Sequence, residues 1–301
     1  MSSIRVVRGR GAVSNPAGRF ETVARSPIDD GWPGSGPDTG RPAPATEIRT
    51  IPVRSAITYN RSPDIAFDRA LNPYRGCEHG CIYCYARPTH AFDGLSPGLD
   101  FETRIGVRAG MAAVLARELD APGYRCDTVN IGSVTDPYQP AERQHGLTRE
   151  LLRELVRRSH PFTIVTKGAL IERDIDLIGP AARRGLAKCF MSISTLEPAL
   201  ARLWDARASA PWRRLRAVRT LVDAGIPVGV IAAPIAPFLN DHEIERLVEA
   251  AAQAGAQTIH YTILRLPGEV RPLFLAWLAT HFPDRHDRVL AGCGTCAGAS
   301  A

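Results

Sequence analysis

The amino-acid sequence predicts an α/β protein built as a partial (β/α)6 barrel. Several short apolar runs rich in β-branched residues have the composition of buried strands in a parallel sheet. Segments with helical periodicity separate these runs, and such alternation is typical of parallel sheets with right-handed crossovers. About six units follow one another, which favours a partial barrel over the alternative, a doubly wound open sheet. In both folds functional side chains belong at the carboxyl ends of the strands.

Six segments are predicted as strands, and we expect them to be covered on both faces because they are almost continuously apolar. The first lies near Ile65–Leu71, directly before a group of cysteines. The other five are Thr128–Gly132 (TVNIG), Phe162–Thr166 (FTIVT), Cys189–Ser194 (CFMSIS), Val228–Ala232 (VGVIA) and Thr258–Leu264 (TIHYTIL).

Three helices are predicted between these strands from apolar residues at helical spacing. Thr148–Ser159 carries a leucine-rich stripe, and Arg213–Ala224 repeats the pattern before Gly225. A third helix is expected to begin at a capping box, Asn240-x-x-Glu243, and to end at Gly255.

The two ends of the sequence differ from its centre. Residues 1–48 contain 13 Gly or Pro and few large apolar side chains, so this N-terminal segment is predicted to be largely disordered. The stretch GRGAVSNPAGRFE within it is a candidate exception that docks on the body. Residues 49–285 form the predicted core, and residues 286–301 are expected to be a flexible C-terminal tail.

The composition is that of an ordinary globular protein with 301 residues, 45% hydrophobic and 23% charged. A net charge of +6 permits a polyanionic partner without requiring one. Lysine occurs only at positions 167 and 188, so almost every cation is an arginine. No apolar run approaches the ~20 residues of a membrane helix, and no signal-peptide core is present. We therefore expect a cytoplasmic protein with no membrane association.

Residues 77–84, CEHGCIYC, hold three cysteines at the spacing C-x3-C-x2-C. Seven cysteines in a chain of this class favour metal or redox chemistry over disulfides. A structural zinc site needs four closed ligands, and an ordinary [4Fe–4S] electron carrier also uses four thiolates. Three cysteines on one loop can hold three irons of a cubane and leave the fourth iron open. Such an open position is typical of metal sites that perform chemistry.

These residues resemble the signature of the radical S-adenosylmethionine (SAM) superfamily, C-x3-C-x-(aromatic)-C after the first strand of a partial barrel. The stretch GCEHGCIYCYARPTHAF is similar to the branch related to spore photoproduct lyase. A longer similarity to a bacterial group in that branch includes LNPYRGC, TDPYQPAER, VTKG, LNDHEIE and HFPDR.

The resemblance implies that Cys77, Cys81 and Cys84 ligate a [4Fe–4S] cluster whose fourth iron binds SAM. One electron, supplied by a reductant such as flavodoxin or ferredoxin, would then release methionine and a 5′-deoxyadenosyl radical that abstracts hydrogen from a substrate. The lyase resemblance and the net charge favour DNA or RNA as that substrate. Two alternatives stay open: a zinc- or cluster-stabilised nucleic-acid-binding protein without catalysis, and an electron-transfer protein.

Several residues at strand ends are candidate SAM contacts. Lys167 directly follows a predicted strand, and its ammonium suits a carboxylate; the resembled branch has a lysine there with this role. Ser194 and Thr195 end the next strand, where hydroxyls could bind the ribose or, alternatively, cap a helix. Arg207, in the following loop, is a further candidate for the carboxylate.

The loop SVTDPYQPAER also opens at a strand end, and its residues Asp136, Tyr138 and Glu142 are candidate contacts to SAM or substrate. Its alternative interpretation is a simple Asp-Pro turn. Tyr83 is expected at the edge of the cluster, where an aromatic ring would limit solvent access. Tyr85 corresponds in the resemblance to a tyrosine proposed to relay the radical, and its alternative role is packing.

Two features depart from the lyase. The lyase uses a cysteine at the end of its second strand as hydrogen donor, whereas residues 130–136 contain none and Cys126 lies at the other end of that strand. The same repair chemistry is therefore not expected. Cys293 and Cys296 could ligate a metal, but the surrounding Gly, Ala and Ser favour a frayed tail.

Overall fold

The computed structural model describes residues 6–21, 45–61 and 67–292, and these form a mixed α/β structure. The strands are β1 (Glu47–Thr50), β2 (Ile57–Tyr59), β3 (Arg69–Leu71), β4 (Tyr74–Arg75), β5 (Arg104–Val107), β6 (Val129–Ile131), β7 (Phe162–Thr166), β8 (Ala187–Ser192), β9 (Val228–Ile235) and β10 (Thr258–Ile263). The helices are α1 (Leu99–Thr103), α2 (Met111–Leu119), α3 (Glu142–His145), α4 (Leu147–Arg157), α5 (Ile175–Arg183), α6 (Pro198–Trp204), α7 (Pro211–Asp223), α8 (Ile244–Gln253), α9 (Val270–His281) and α10 (His286–Gly292).

The main sheet has the strand order β10-β9-β8-β7-β6-β3-β2 within the described ranges. Strand β2 pairs antiparallel with β3, and every other neighbouring pair is parallel. The parallel strands thus follow one another in chain order, and the edge strands β2 and β10 do not close the sheet. The predicted partial (β/α)6 barrel is confirmed. A second sheet has the order β1-β5-β4; β1 precedes β2 in the chain, and β4 and β5 lie between β3 and β6.

The predicted strands agree with the observed ones to within a few residues. Strand β7 coincides with its prediction, and β9 extends three residues further, to Ile235. Strand β8 begins and ends two residues earlier than expected. Strand β3 begins at Arg69, and positions 65 and 66 lie outside the described residues.

One face of the main sheet carries the hydrophobic core. Helices α4, α5, α7 and α8 supply buried side chains such as Leu155, Ile178, Val218 and Leu247. Alternate strand residues meet them, as expected for a pleated sheet; they include Val129, Ile131, Phe162, Ile164, Cys189, Met191, Val228 and Val230.

The opposite face, here called the inner face, is formed by the alternate residues of the same strands. It includes Thr163, Val165, Lys188, Phe190 and Ile231, which are only half-buried. The expectation that the strands are covered on both faces is therefore wrong. An open barrel leaves its inner face accessible, and the edge strand β10 is exposed over most of its length.

A second hydrophobic cluster fixes the cysteine loop that follows β4. Ile82 and Tyr83 pack with Trp204 of α6 and with Phe274 and Trp277 of α9. The Trp204 ring centroid lies 5.5 Å from that of Trp277 and 5.9 Å from that of Phe274. Tight packing of three large rings makes this loop part of a core, not a surface excursion.

The terminal segments differ in part from their predictions. Residues 6–21 pack on the body, where Ala12 and Val13 are buried in the second cluster; the rest of the predicted disordered segment up to position 44 lies outside the described residues. Helix α10 extends the folded chain into the predicted tail because Val289 is fully buried. Cys293 and Cys296 lie outside the described residues.

The predicted capping box is also wrong. Asn240 accepts a hydrogen bond from Ala236 N and donates to Ser194 O at 2.6 Å, while Glu243 accepts from residues 195 and 196. Both side chains therefore join β8 and β9 to the start of α8 and do not cap it.

Across the described ranges, no helix combines the length and apolarity needed to cross a bilayer.

Candidate functional site

The three cysteines of the motif lie on the loop between β4 and α1. Cys77 and Cys81 are each 7% exposed, and Cys84 is half-buried. Two glycines allow this loop to turn: Gly76 and Gly80 have φ of 74° and 67°. A Cβ at Gly80 would lie 2.6 Å from a carboxylate oxygen. Both the left-handed backbone and the close approach therefore require glycine.

The thiols of the motif are close enough to one another and to nearby charged groups for their pKa values to be affected. Burial raises the pKa of Cys77, and the nearby Asp136 and Cys84 raise it further. Burial also raises the pKa of Cys81, whereas the positive charge of Lys167 opposes that rise. The free thiols are consequently protonated at neutral pH, and ligation of a metal must release those protons.

This donor set fits a [4Fe–4S] cluster. Soft thiolates are the ligands of such clusters, and the three share one buried loop. In the part of the chain that the structure describes, no three His, Cys, Asp or Glu side chains converge as ligands of one metal ion. A cubane does not need that convergence because each thiolate binds a different iron. The other described cysteines lie apart: Cys126 is exposed, and Cys189 belongs to the core.

A buried ion pair holds the cysteine loop from behind. The Arg87 guanidinium is fully buried and bonds to Glu102 at 2.5 Å. Its remaining N–H groups donate to main-chain oxygens, which are those of Gly80, Cys81, Pro97 and Gly98. All five donors of the arginine are thereby used.

Glu102 extends this brace to the N-terminal segment. Its two carboxylate oxygens accept hydrogen bonds from Gly11 N at 2.9 Å and Ala12 N at 2.8 Å. A Cβ at Gly11 would lie 1.9 Å from Gly80 O, so the segment contacts the cysteine loop backbone directly. Residues 10–12 thus form a layer over the loop.

Lys167 lies at the end of β7, as the sequence predicts. Its Nζ donates to Ser192 Oγ at 2.5 Å and lies 5.7 Å from the centroid of the Tyr83 ring. No carboxylate forms an ion pair with it among the described residues. The ammonium therefore stands between the cysteine loop and the inner face of β8, with a hydroxyl as its polar partner.

Asp205 balances the charge beside Lys167. It accepts hydrogen bonds from the Tyr83 hydroxyl and, at 2.8 Å, from Arg214. Burial alone would raise the pKa of Asp205, but Lys167 and Arg214 hold it well below its usual range. Tyr83 is buried against Trp204 at 4.8 Å between ring centroids, so it orders the loop and does not form a solvent-exposed edge.

The two predicted hydroxyls have different surroundings. Ser194 Oγ is buried and faces the Tyr83 hydroxyl, but it forms no hydrogen bond of normal geometry within the described residues. Thr195 Oγ1 donates to Glu243 at 2.5 Å and accepts from Glu197 N at 3.1 Å. Its hydrogen-bonding capacity is used within the protein, so its prediction as a ribose contact lacks support. Ser192, two residues before Ser194 on the same face, is the hydroxyl beside Lys167.

Asp136 lies inside the protein and acts on Lys167 through the backbone. Its carboxylate accepts from Thr166 Oγ1 at 2.6 Å, Lys167 N at 2.7 Å and Tyr138 N at 2.9 Å. His79 Nδ1 lies 3.2 Å away. Burial would raise its pKa, but His79 and these donors lower the pKa of Asp136 to about 2. This carboxylate positions Lys167 and has no free acceptor site for a ligand.

The rest of its loop is equally internal. Tyr138 donates to Asp174 at 3.1 Å, and Glu142, which is fully buried, accepts from Tyr74 at 2.5 Å and Arg173 at 2.6 Å. Neither the ligand-contact prediction nor the surface-turn alternative describes these residues. They form a buried polar network that joins strand-end loops.

Arg207 and Tyr85 contact different parts of the protein. The Arg207 guanidinium is 3.0 Å from Glu78 and bonds to Thr46, so it is already engaged within the protein and these contacts lend no support to its prediction as a carboxylate contact. Tyr85 is 57% exposed and donates to Ser133 O. Its ring is therefore available at the mouth of the site.

Sequence reasoning missed Ser192, Asp205 and the Arg87–Glu102 pair. The alternation of side chains along β8 could have indicated Ser192, because it shares a face with Ser194. No local signal identifies the other three residues: Asp205 meets Tyr83 across 122 positions and Glu102 meets Gly11 across 91, while the Arg87–Glu102 pair spans 15 positions without a regular spacing that would indicate it.

Comparisons with known proteins agree with this geometry. Residues 71–251 match the family model of the radical SAM superfamily, which is more than half of the chain. An uncharacterized protein of Mycobacterium tuberculosis is 37% identical over 230 residues, covering 75% of this chain and 68% of that protein. An uncharacterized protein of Methanocaldococcus jannaschii is 25% identical over 197 residues, covering 65% of this chain and 71% of that protein.

The fold is similar to that of spore photoproduct lyase. A variant of that lyase with bound AdoMet and dinucleoside spore photoproduct superposes with a TM-score of 0.54 at 17% identity, covering 78% of this chain. This chain spans 66% of the length of the lyase chain. The family model, the sequence relatives and the cysteine loop lead to one assignment: the chain belongs to the radical SAM superfamily, whose members use a [4Fe–4S] cluster and S-adenosylmethionine.

Proposed function

We propose that this protein is a radical SAM enzyme that cleaves S-adenosylmethionine reductively and acts on a nucleic-acid substrate. The observation that carries the proposal is a loop with three thiols, buried at Cys77 and Cys81 and half-buried at Cys84, near the ammonium of Lys167. When bound, the cluster and SAM supply a one-electron cleavage that gives methionine and a 5′-deoxyadenosyl radical, which takes a hydrogen atom from the substrate.

The three cysteines act as cluster ligands. Their burial excludes water, and the brace of Arg87 and Glu102 fixes the loop backbone before any metal binds. Because no fourth described cysteine lies beside them, one iron is left for a ligand other than a protein thiolate. This open position is what SAM requires.

Lys167 binds the carboxylate of SAM. Asp136 fixes its backbone, and the nearest anion, Asp205, already accepts from Tyr83 and Arg214. The ammonium therefore has charge to offer an incoming carboxylate. A charge-assisted hydrogen bond of this kind contributes about 1.5–3 kcal/mol. Ser194, whose buried hydroxyl faces that of Tyr83 without a well-formed hydrogen bond, is the candidate for a further polar contact.

Tyr85 faces the substrate side. Its exposed ring, held by the bond from its hydroxyl to Ser133 O, stands directly after the last cluster ligand. We assign it to substrate contact or radical relay. Thr195 and Asp136 serve as positioning residues, and Tyr83 orders the loop.

The proposal of a nucleic-acid substrate rests on the net charge of the chain and on the similarity of its fold to spore photoproduct lyase. The net charge of +6 favours polyanions, and the similar lyase structure has a bound dinucleoside spore photoproduct. Binding of single- and double-stranded oligonucleotides should weaken steeply between about 50 mM and about 200 mM salt. Failure to bind either kind of oligonucleotide at low salt would refute the proposal of a nucleic-acid substrate, but it would not bear on the proposed cleavage of SAM.

The catalytic part is tested by anaerobic reconstitution with iron and sulfide. We expect about four irons per chain and formation of 5′-deoxyadenosine from SAM with dithionite. Zinc without iron would favour the nucleic-acid-binding alternative, and a redox-active cluster indifferent to SAM would favour electron transfer.

A further inference from the structure

Two adjoining cavities form a groove on the outer side of the cysteine loop. One has a volume of about 790 Å³ and the other about 600 Å³. They share Pro140, Gln144 and Arg207, so they form one continuous depression, here called the arginine groove.

The arginine groove has a net positive charge, although the buried Glu142 and Asp174 neutralise one of its arginines, Arg173. The wall of the groove contains two glutamates, Glu78 and Glu172. It also contains six arginines, which are Arg8, Arg10, Arg143, Arg173, Arg207 and Arg213. Both glutamates are engaged: Glu78 with Arg207 at 3.0 Å and Glu172 with Arg213 at 2.8 Å.

The positive charge is partly uncompensated. Arg8 and Arg143 are exposed, and neither has an acidic partner among the described residues. Burial and the adjacent positive charge of Arg207 lower the pKa of Arg10. The surface therefore presents a local excess of cations in a concave site, where a field is focused.

The groove touches the cluster loop but not the inner face. His79, which stands between Cys77 and Cys81 in the chain, lines it, and His79 O accepts a hydrogen bond from Arg207 N at 3.1 Å. Its wall contains none of Lys167, Ser192, Ser194 and Tyr85. Substrate chemistry belongs beside those four residues, so the arginine groove, whose wall includes Gly168 after Lys167 but not Lys167 itself, serves another purpose.

We propose that the arginine groove is the docking surface for an acidic, low-potential electron-transfer protein of the flavodoxin or ferredoxin class. This inference rests on the proposed function, which requires an electron at the cluster. One electron would leave the reduced flavin or iron–sulfur centre of the partner and reduce the [4Fe–4S] cluster from the 2+ to the 1+ state. No bond forms or breaks in this step, and the partner is oxidised by one electron.

Two features favour a protein over a nucleic acid as the occupant. A phosphate backbone gains from an unbroken cationic track, whereas Glu78 and Glu172 interrupt this one. Ion pairs also hold Arg207 and Arg213 in fixed positions, which suits the pre-organised, mixed-charge contacts of a protein interface.

The test uses a double charge reversal, Arg8→Glu with Arg143→Glu, in the reconstituted full chain. Its matched control is Arg117→Glu with Arg153→Glu, two exposed helix arginines away from the groove that change the net charge equally. Affinity for oxidised flavodoxin is measured directly by titration at about 50 mM and about 200 mM salt. The rate of 5′-deoxyadenosine formation is measured with reduced flavodoxin and with dithionite.

We expect the groove variant to bind flavodoxin roughly tenfold or more weakly at low salt, with a smaller difference at high salt. Its ratio of flavodoxin-driven to dithionite-driven rate should fall by a similar factor, and the control should match the wild type. Equal flavodoxin binding by the two variants would overturn the proposal. So would a groove variant that loses affinity for a single-stranded oligonucleotide but keeps flavodoxin binding. Absence of deoxyadenosine from wild type with dithionite would refute the proposed function, while the binding titration would still test the groove.

Discussion

The brace behind the cysteine loop yields a quantitative prediction for Glu102→Gln. The substitution keeps the size of the side chain but removes its charge. Arg87 would then remain fully buried without a counter-ion, although its four main-chain acceptors persist. The new amide would also place an N–H group against Gly11 N, Ala12 N or Arg87, each of which is a donor.

The expected loss of stability follows from burial. Removing one partner of a buried ion pair costs about 3–5 kcal/mol because the other charge is left uncompensated. The control is Glu197→Gln, which breaks the Arg246–Glu197 pair of 3.2 Å with side chains 59% and 48% exposed. Exposed pairs contribute about 0–1 kcal/mol. The two substitutions remove the same charge, so their difference isolates burial.

The assay is urea unfolding of the metal-free protein, followed by circular dichroism and tryptophan fluorescence. Hydrogen exchange at Gly11 and Ala12 supplies a local readout, since both amides bond to Glu102. We expect a large decrease in the unfolding free energy and faster exchange at these amides for Glu102→Gln alone. A loss equal to that of Glu197→Gln would refute the reasoning that the pair braces the loop.

Three further predictions concern the site and its surroundings. Cys81→Ala should lose most of its iron on reconstitution, whereas Cys126→Ala, at an exposed position, should keep it; equal iron contents would contradict the ligand assignment. Lys167→Ala should weaken SAM binding by about 10- to 150-fold in equilibrium dialysis, the loss of one charge-assisted bond, and unchanged affinity would exclude the carboxylate contact. Burial lowers the pKa of His160 in the folded protein. As the pH falls through about 6.5, His160 is therefore protonated in the unfolded chain before it is protonated in the folded protein. The free energy of unfolding should therefore decrease from about pH 7.5 to about pH 5.5, and this decrease should be smaller in His160→Gln. The same pH dependence in the wild type and the variant would contradict this prediction.

Local pattern was sufficient for the parallel strands of the main sheet, but it did not indicate the antiparallel edge strand β2. Each predicted strand after β3 is present because β-branched runs between amphipathic helices have one stable arrangement, with helices on the outer face. The cysteine spacing likewise needs only local sequence. Burial on both faces was predicted wrongly because continuous apolarity does not reveal whether a sheet closes.

The contacts that hold the site were beyond sequence reasoning. Glu102 bonds to Gly11 across 91 positions in the chain, and Asp205 meets Tyr83 across 122. Such pairs follow from tertiary packing, which no window of sequence contains. Arg207 was predicted as a carboxylate contact for the same reason: its position in a loop does not show which partners its guanidinium already has.

The central claim is that the loop of Cys77, Cys81 and Cys84 leaves one iron open for S-adenosylmethionine. Electron–nuclear double resonance of the reduced, reconstituted protein with SAM isotopically labelled in its amino and carboxylate groups tests it most directly. The account predicts hyperfine coupling from both groups to the cluster. A spectrum without such coupling, and the same with and without SAM, would contradict it.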